Sequence, residues 1–165
     1  MKKIGEYVVE LFSNEGYAVV VPMLDPRLSG RHPEVEDRSS QAFYTSNWSE
    51  RHVGYVCGIG TFGLSDGLIS SVGVAGRLLS IITDAYFEPS DRDYSDIYEY
   101  CTHCGTCMQN CPAEAISEKG KSHPPCSAFL DQVMDKCSPF YGCGKCQVNV
   151  PCESTIPAVS SRMVS

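Results

Sequence analysis

The chain has 165 residues, 42% of them hydrophobic, with 13 Lys and Arg against 20 Asp and Glu and ten cysteines. That apolar content supports one modest core or two small lobes. The net charge of −7 and the dispersed basic residues disfavour nucleic acid as a partner, because nothing forms the basic stripe that a phosphate backbone needs.

No apolar stretch nears the ~20 residues required to cross a bilayer. The N-terminal "MKKIGEYVVELF" scatters charge through its apolar run, and no small-residue cleavage site follows. The expectation is a cytoplasmic protein without a membrane partner. In that reducing compartment, clustered thiols bind metal rather than pair as disulfides.

Ile4, Val8, Leu11 and Phe12 recur at helical spacing over residues 1–13, and Gly16 supplies the stop. "YAVVVPML" reads as a short buried strand, closed by the turn chemistry of "DPRLSGRHP". Ser49 caps a second predicted helix carrying His52, Tyr55, Val56 and Ile59, which runs into the glycines of "GIGTFGLSDG". "RLLSIITDAYF" reads as another buried strand, and the acidic, aromatic "DRDYSDIYEY" as a linker. A boundary near residue 95 separates lobes at 1–95 and 96–165. In the second lobe, Phe129, Leu130, Val133, Met134 and Cys137 share one face of a helix over "CSAFLDQVMDKC". The tail "STIPAVSSRMVS" has little pattern.

"GIGTFG" matches G-x-G-x-x-G literally, but a dinucleotide fingerprint needs a strand before it and a helix after it. Here a helical pattern precedes the loop and a strand pattern follows, so the dinucleotide reading fails on context.

"CTHCGTCMQNCP" is C-x2-C-x2-C-x3-C-P, the bacterial iron–sulfur run, with Cys101, Cys104, Cys107, Cys111 and Pro112. Cysteines two residues apart in a tight loop can hold three corners of a [4Fe-4S] cube. The cysteine before the proline is carried away from that loop and ligates the other cluster in two-cluster proteins. Cys111 therefore predicts a second cluster. Four more thiolates are then needed, and Cys126, Cys137, Cys143, Cys146 and Cys152 are available. Zinc held by C-x2-C pairs is the competing reading. Cys57 and Cys137 read as small buried apolar residues.

The order of these motifs, with the isolated Cys126 in "HPPCSAFL", "YGCGKCQ" and a last Cys152, resembles the iron–sulfur module of epoxyqueuosine reductases and their reductive-dehalogenase relatives. "SERHVGYVCGIGTFGLSDGLIS" and "GRLLSIITD" resemble the segment preceding that module. The resemblance implies an α+β chain: a small nitroreductase-like (reductive-dehalogenase-like) α/β lobe, then a two-cluster ferredoxin-like lobe. It also implies Cys101, Cys104, Cys107 and Cys152 on one cluster and Cys111, Cys126, Cys143 and Cys146 on the other. One departure is the interval before Cys152, which is longer than in epoxyqueuosine reductases and places Pro151 before the cysteine rather than after it.

The resemblance further implies cobalamin near one cluster, contacted by Gly58, Gly60, Thr61, Phe62 and Gly63. Two features pull away from full enzymatic transfer. Fewer than 100 residues precede the cluster module, and "AFYTSNWSERH" lacks the acidic proton donor that epoxyqueuosine reductases carry at that place. No catalytic residue is assigned: Tyr44 could donate a proton but reads first as a core or stacking aromatic, His52 as a structural helix residue, and Arg77 as either a cofactor-phosphate partner or a solvated side chain. The leading expectation is an electron relay through two [4Fe-4S] clusters to a redox partner or bound cofactor. A corrinoid-dependent oxidoreductase acting on an organic substrate and a zinc-stapled interaction module stand as alternatives.

Overall fold

The computed structural model describes residues 1–28, 32 and 34–158. Part of the predicted turn after Leu28 and the end of the tail lie outside those residues. The chain forms two compact units: Met1–Gly58 with Arg77–Arg92, and Ile59–Gly76 with the chain from Asp93 on. A single cut near residue 95 does not describe this division, because Ile59–Gly76 packs with the cysteine-rich unit.

The first unit opens with α1, Lys2–Asn14. Its buried Gly5 lies against Val21 and Leu24, and a Cβ there would come 3.2 Å from the Val21 side chain. Glycine thus lets the following turn, Pro22–Leu24, approach the helix closely. The first predicted buried strand shrinks to β1, Val19–Val20, which pairs antiparallel with β4, Ile82–Thr83. Val20 and Ile82 are exposed, so neither run is the buried strand that its apolar composition suggested. Pro22, at the start of the following 3-10 turn, ends the first run, and Asp84 turns back to accept the Ala18 amide at 2.8 Å. Of the α/β lobe expected over 1–95, the described residues of the first unit form helices and one two-residue ladder, and the one further pair of strands in that range, within Ile59–Gly76, belongs to the second unit.

Ser49 caps α2, Glu50–Val56, as its position predicted, accepting from the His52 amide at 3.4 Å. Cys57, just beyond the helix, is exposed rather than buried, since it sits outside the packed turns. Gly58 then adopts a φ of +80°, a left-handed conformation that redirects the chain out of the helix.

The second unit begins with a hairpin. β2, Gly60–Phe62, pairs antiparallel with β3, Leu68–Ser70, in register Gly60↔Ser70, Thr61↔Ile69 and Phe62↔Leu68. Half of the glycine loop of the sequence, Gly60–Phe62, is thus a strand. Gly60 is obligatory, because a Cβ there would collide with the Ile69 carbonyl across the ladder. α3, Thr106–Gln109, follows the first cysteines, and β5, Ile116–Ser117, pairs with β6, Gly120–Lys121. α4, His123–Cys137, starts three residues before the predicted helix, with proline in its first turn where a missing N–H costs nothing. Phe129, Leu130 and Val133 are half-buried, while Met134 and Cys137 are exposed. Cys137 closes the helix beyond its packed turns, which corrects the expectation that it is a core residue. The core of this unit joins Leu64, Ile69, Val74, Cys107, Ile116 and Val150, with Cys101, Cys111, Cys146 and Cys152 packed against it.

Candidate metal centre

The first cysteine loop is shaped by backbone that side-chain-bearing residues rarely adopt. His103 has φ +51° and Gly105 φ +78°, with Gly105 as the N-cap of α3. These two reversals curl the chain between Cys101 and Cys107. The Cys101 amide bonds the Tyr98 carbonyl at 2.8 Å and the Cys111 amide bonds the Met108 carbonyl at 3.1 Å, so both ends of the loop are fixed.

Cys152 arrives from far along the chain. A pocket of about 370 Å³, counted to its open mouth, is lined by Cys101, Cys104, Cys107 and Cys152 together with apolar walls at Leu64, Ile69 and Val150. Burial raises the Cys107 thiol to about 11, and the neighbouring Cys101, Cys104 and Cys152 add to the rise because like charges so close disfavour a further thiolate. Burial likewise raises Cys152, with Cys101 and Cys104 contributing. At Cys104 burial also pushes upward, but hydrogen bonds led by the Thr106 hydroxyl outweigh it and lower the thiol below its ordinary value. The Thr106 oxygen stands 3.4 Å from the Cys104 sulfur.

Cys146 stands between the two expected sets: it adds to the rise at Cys107 and Cys152, and it also has Cys111 and Cys126 as neighbours. Burial raises this thiol; Lys121 opposes the rise, and Cys126 and Cys111 add to it. The Ala115 amide donates to the Cys111 sulfur at 3.3 Å. Cys143 is exposed on the turn that includes Gly144, whose φ is +73°. Cys57 and Cys137 fall in neither group.

These donors are all sulfur, the soft ligand set suited to iron–sulfur clusters or zinc. Tetrahedral zinc, bonded at ~2.3 Å to each thiolate, needs sulfurs within about 4 Å of one another. Among the described residues, no three His, Cys, Asp or Glu side chains gather closely enough to hold one metal ion. A cube carries iron and sulfide between its ligands, so its thiolates stand further apart than those of a single ion; Cys101, Cys104, Cys107 and Cys152 line one pocket.

The other predicted site residues are placed differently. Gly60, Thr61, Phe62 and Gly63 are buried within the second unit, and Gly58 is half-buried. Thr61, with no exposed surface, accepts the Tyr100 amide at 2.8 Å. The Phe62 amide donates to the Ile97 carbonyl at 2.7 Å. Thr61 and Phe62, two of the residues expected to meet a corrinoid, thus have polar groups bonded within the second unit. Tyr44 donates its hydroxyl to the Arg38 carbonyl at 3.0 Å, the His52 ring meets the Ser49 hydroxyl at 2.7 Å, and Arg77 is exposed. Sequence reasoning missed the hairpin's role beside the cysteines; the turn signal Ser65-Asp66-Gly67 between two apolar runs was there to find it.

Residues 94–117 match the family described as the 4Fe-4S binding domain. No curated protein and no solved structure matches the chain. No helix among the described residues is long and apolar enough to cross a membrane.

Proposed function

We propose that this chain is an electron relay with two [4Fe-4S] clusters, the first held by Cys101, Cys104, Cys107 and Cys152 and the second by Cys111, Cys126, Cys143 and Cys146. The observation that carries the reading is the pocket in which Cys152 joins the three thiols of the C-x2-C-x2-C loop. A 4Fe-4S binding domain at 94–117 supports the iron–sulfur, electron-transfer character of the module.

When bound, such clusters take up and release single electrons. The chain's own residues fix the thiolates, keep Cys107 and Cys152 largely out of water and aim amides at sulfur, as Ala115 does at Cys111. Amide donors and limited solvent access set the potential in such sites. The sulfurs of Cys143, Cys146 and Cys152 need no common spacing, because they serve different centres.

The finer reading makes the electron acceptor a partner protein or bound cofactor in the manner of epoxyqueuosine reductases, supported by the order of the cysteine motifs. Anaerobic purification followed by iron and sulfide analysis tests the relay: about eight of each per chain is expected for two four-iron cubes. A zinc-loaded, colourless chain overturns it. Cobalamin added to the loaded protein, followed by its absorption spectrum, tests the corrinoid acceptor; an unshifted spectrum rejects it.

A further inference from the structure

We propose that the β2–β3 hairpin is a clamp for the first cluster and that Thr61 is its positioning residue. The inference rests on the ligand set proposed above. Three hydrogen bonds carry it. Thr61 Oγ1 accepts the amide of Tyr100, the residue directly before Cys101, at 2.8 Å. The Phe62 amide donates to Ile97 at 2.7 Å, anchoring the same approach one turn earlier. The Val74 amide, just past β3, donates to the carbonyl of Cys152 itself at 2.8 Å.

The hairpin and the Ser70–Gly73 turn that continues it to Val74 thus grip both segments that must meet at the first cluster, although 50 residues separate Cys101 from Cys152 in sequence. Gly63 and Ile69 of the same hairpin region also line the cysteine pocket. The Thr61 hydroxyl is wholly buried, so its bond to Tyr100 has no water to replace it. The Tyr94 hydroxyl accepts the Gly60 amide at 3.2 Å and its ring packs edge-on against Tyr100, bracing the contact from the other side. Residues 59–76 are therefore part of the cluster-binding module, ahead of the span that the cysteine motif defines.

Full-length Thr61→Val, which keeps the side chain's shape and removes the acceptor, and Thr61→Ser, which keeps the acceptor, separate positioning from packing. In anaerobically loaded protein, Thr61→Val is expected to lose the first cluster, halving the iron content and leaving the spectrum that Cys104→Ala leaves, whereas Thr61→Ser retains both clusters. Unchanged iron and unchanged cluster potentials in Thr61→Val overturn the proposal, as does equal damage in the two variants. Should Thr61→Val fail to fold, hydrogen exchange on the native chain decides: a Tyr100 amide protected like those of β2 upholds the clamp, and a freely exchanging one rejects it. If the native chain loads no iron, the ligand reading itself fails; if it loads fully and Thr61→Val behaves as the native chain does, only the clamp fails.

Discussion

Gly73 lies against the backbone of Glu153 so tightly that a Cβ on the glycine would collide with the Glu153 carbonyl. Its φ of +83° is also one that a side chain resists. Gly73→Ala therefore carries two penalties, a left-handed backbone costing about 1–3 kcal/mol and a clash with main chain that cannot rotate away. The next residue, Val74, holds Cys152, so the loss falls on the first cluster as well as on stability. Chemical unfolding should show a destabilisation of at least about 2 kcal/mol. Gly76, which has open space around it, is the control: Gly76→Ala should stay within about 0.5 kcal/mol of the native chain.

Under the proposed interleaved ligation, neighbouring cysteines should behave unlike one another. Cys143→Ala should remove the second cluster and Cys152→Ala the first, although the two residues share one short stretch of chain. Each variant should fall from about eight irons to about four and lose part of its folding stability, because ligation is coupled to folding. Cys137→Ser should keep both clusters, since that thiol is exposed at the end of α4 and joins neither group. Iron analysis combined with low-temperature electron paramagnetic resonance distinguishes the two remnants; identical spectra from Cys143→Ala and Cys152→Ala would sink the assignment.

Removing the metal should grade the thiols by environment. In chelator-stripped protein at neutral pH, alkylation should reach the exposed Cys104, whose thiol is lowered, together with the exposed Cys57, Cys137 and Cys143, well before Cys107. Cys107 is buried, and its pKa near 11 leaves almost no thiolate to react. Raising the pH toward that value should speed its modification, while the accessible thiols gain less. Mass spectrometry of peptides over a time course reads the order; early labelling of Cys107 would contradict the burial found here.

The parts of this molecule legible in its sequence are those fixed by local chemistry. The C-x2-C-x2-C-x3-C-P run, the Ser49 cap and the amphipathic α1 each depend on residues within a turn or two of one another, and each is found where it was expected. Failures arise where distant segments decide. "RLLSIITDAYF" carries strand-forming residues, but among the described residues its ladder partner is the two-residue β1, and Ile81 and Ile82 remain exposed. "GIGTFG" reads as a loop by composition, yet pairing with Leu68–Ser70 makes Gly60–Phe62 a strand, and the carbonyl of Ile69 explains the glycine at position 60. Cysteine is usually buried, but Cys57 and Cys137 stand at helix ends, beyond the turns that pack.

The first unit can be probed separately through Trp48, the single tryptophan. Its indole N–H donates to the Ser80 hydroxyl at 2.9 Å, and Ser80 is buried. Ser80→Ala removes the acceptor and leaves the half-buried indole without that partner, which should cost about 1–2 kcal/mol. The bond joins Trp48 to the segment that follows the β2–β3 hairpin, and both residues belong to the first unit. Its loss should therefore shift the unfolding transition reported by Trp48 fluorescence while leaving the iron content unchanged. Ser80→Thr, which restores a hydroxyl, should recover part of the loss. A Ser80→Ala variant that also sheds iron would contradict this expectation.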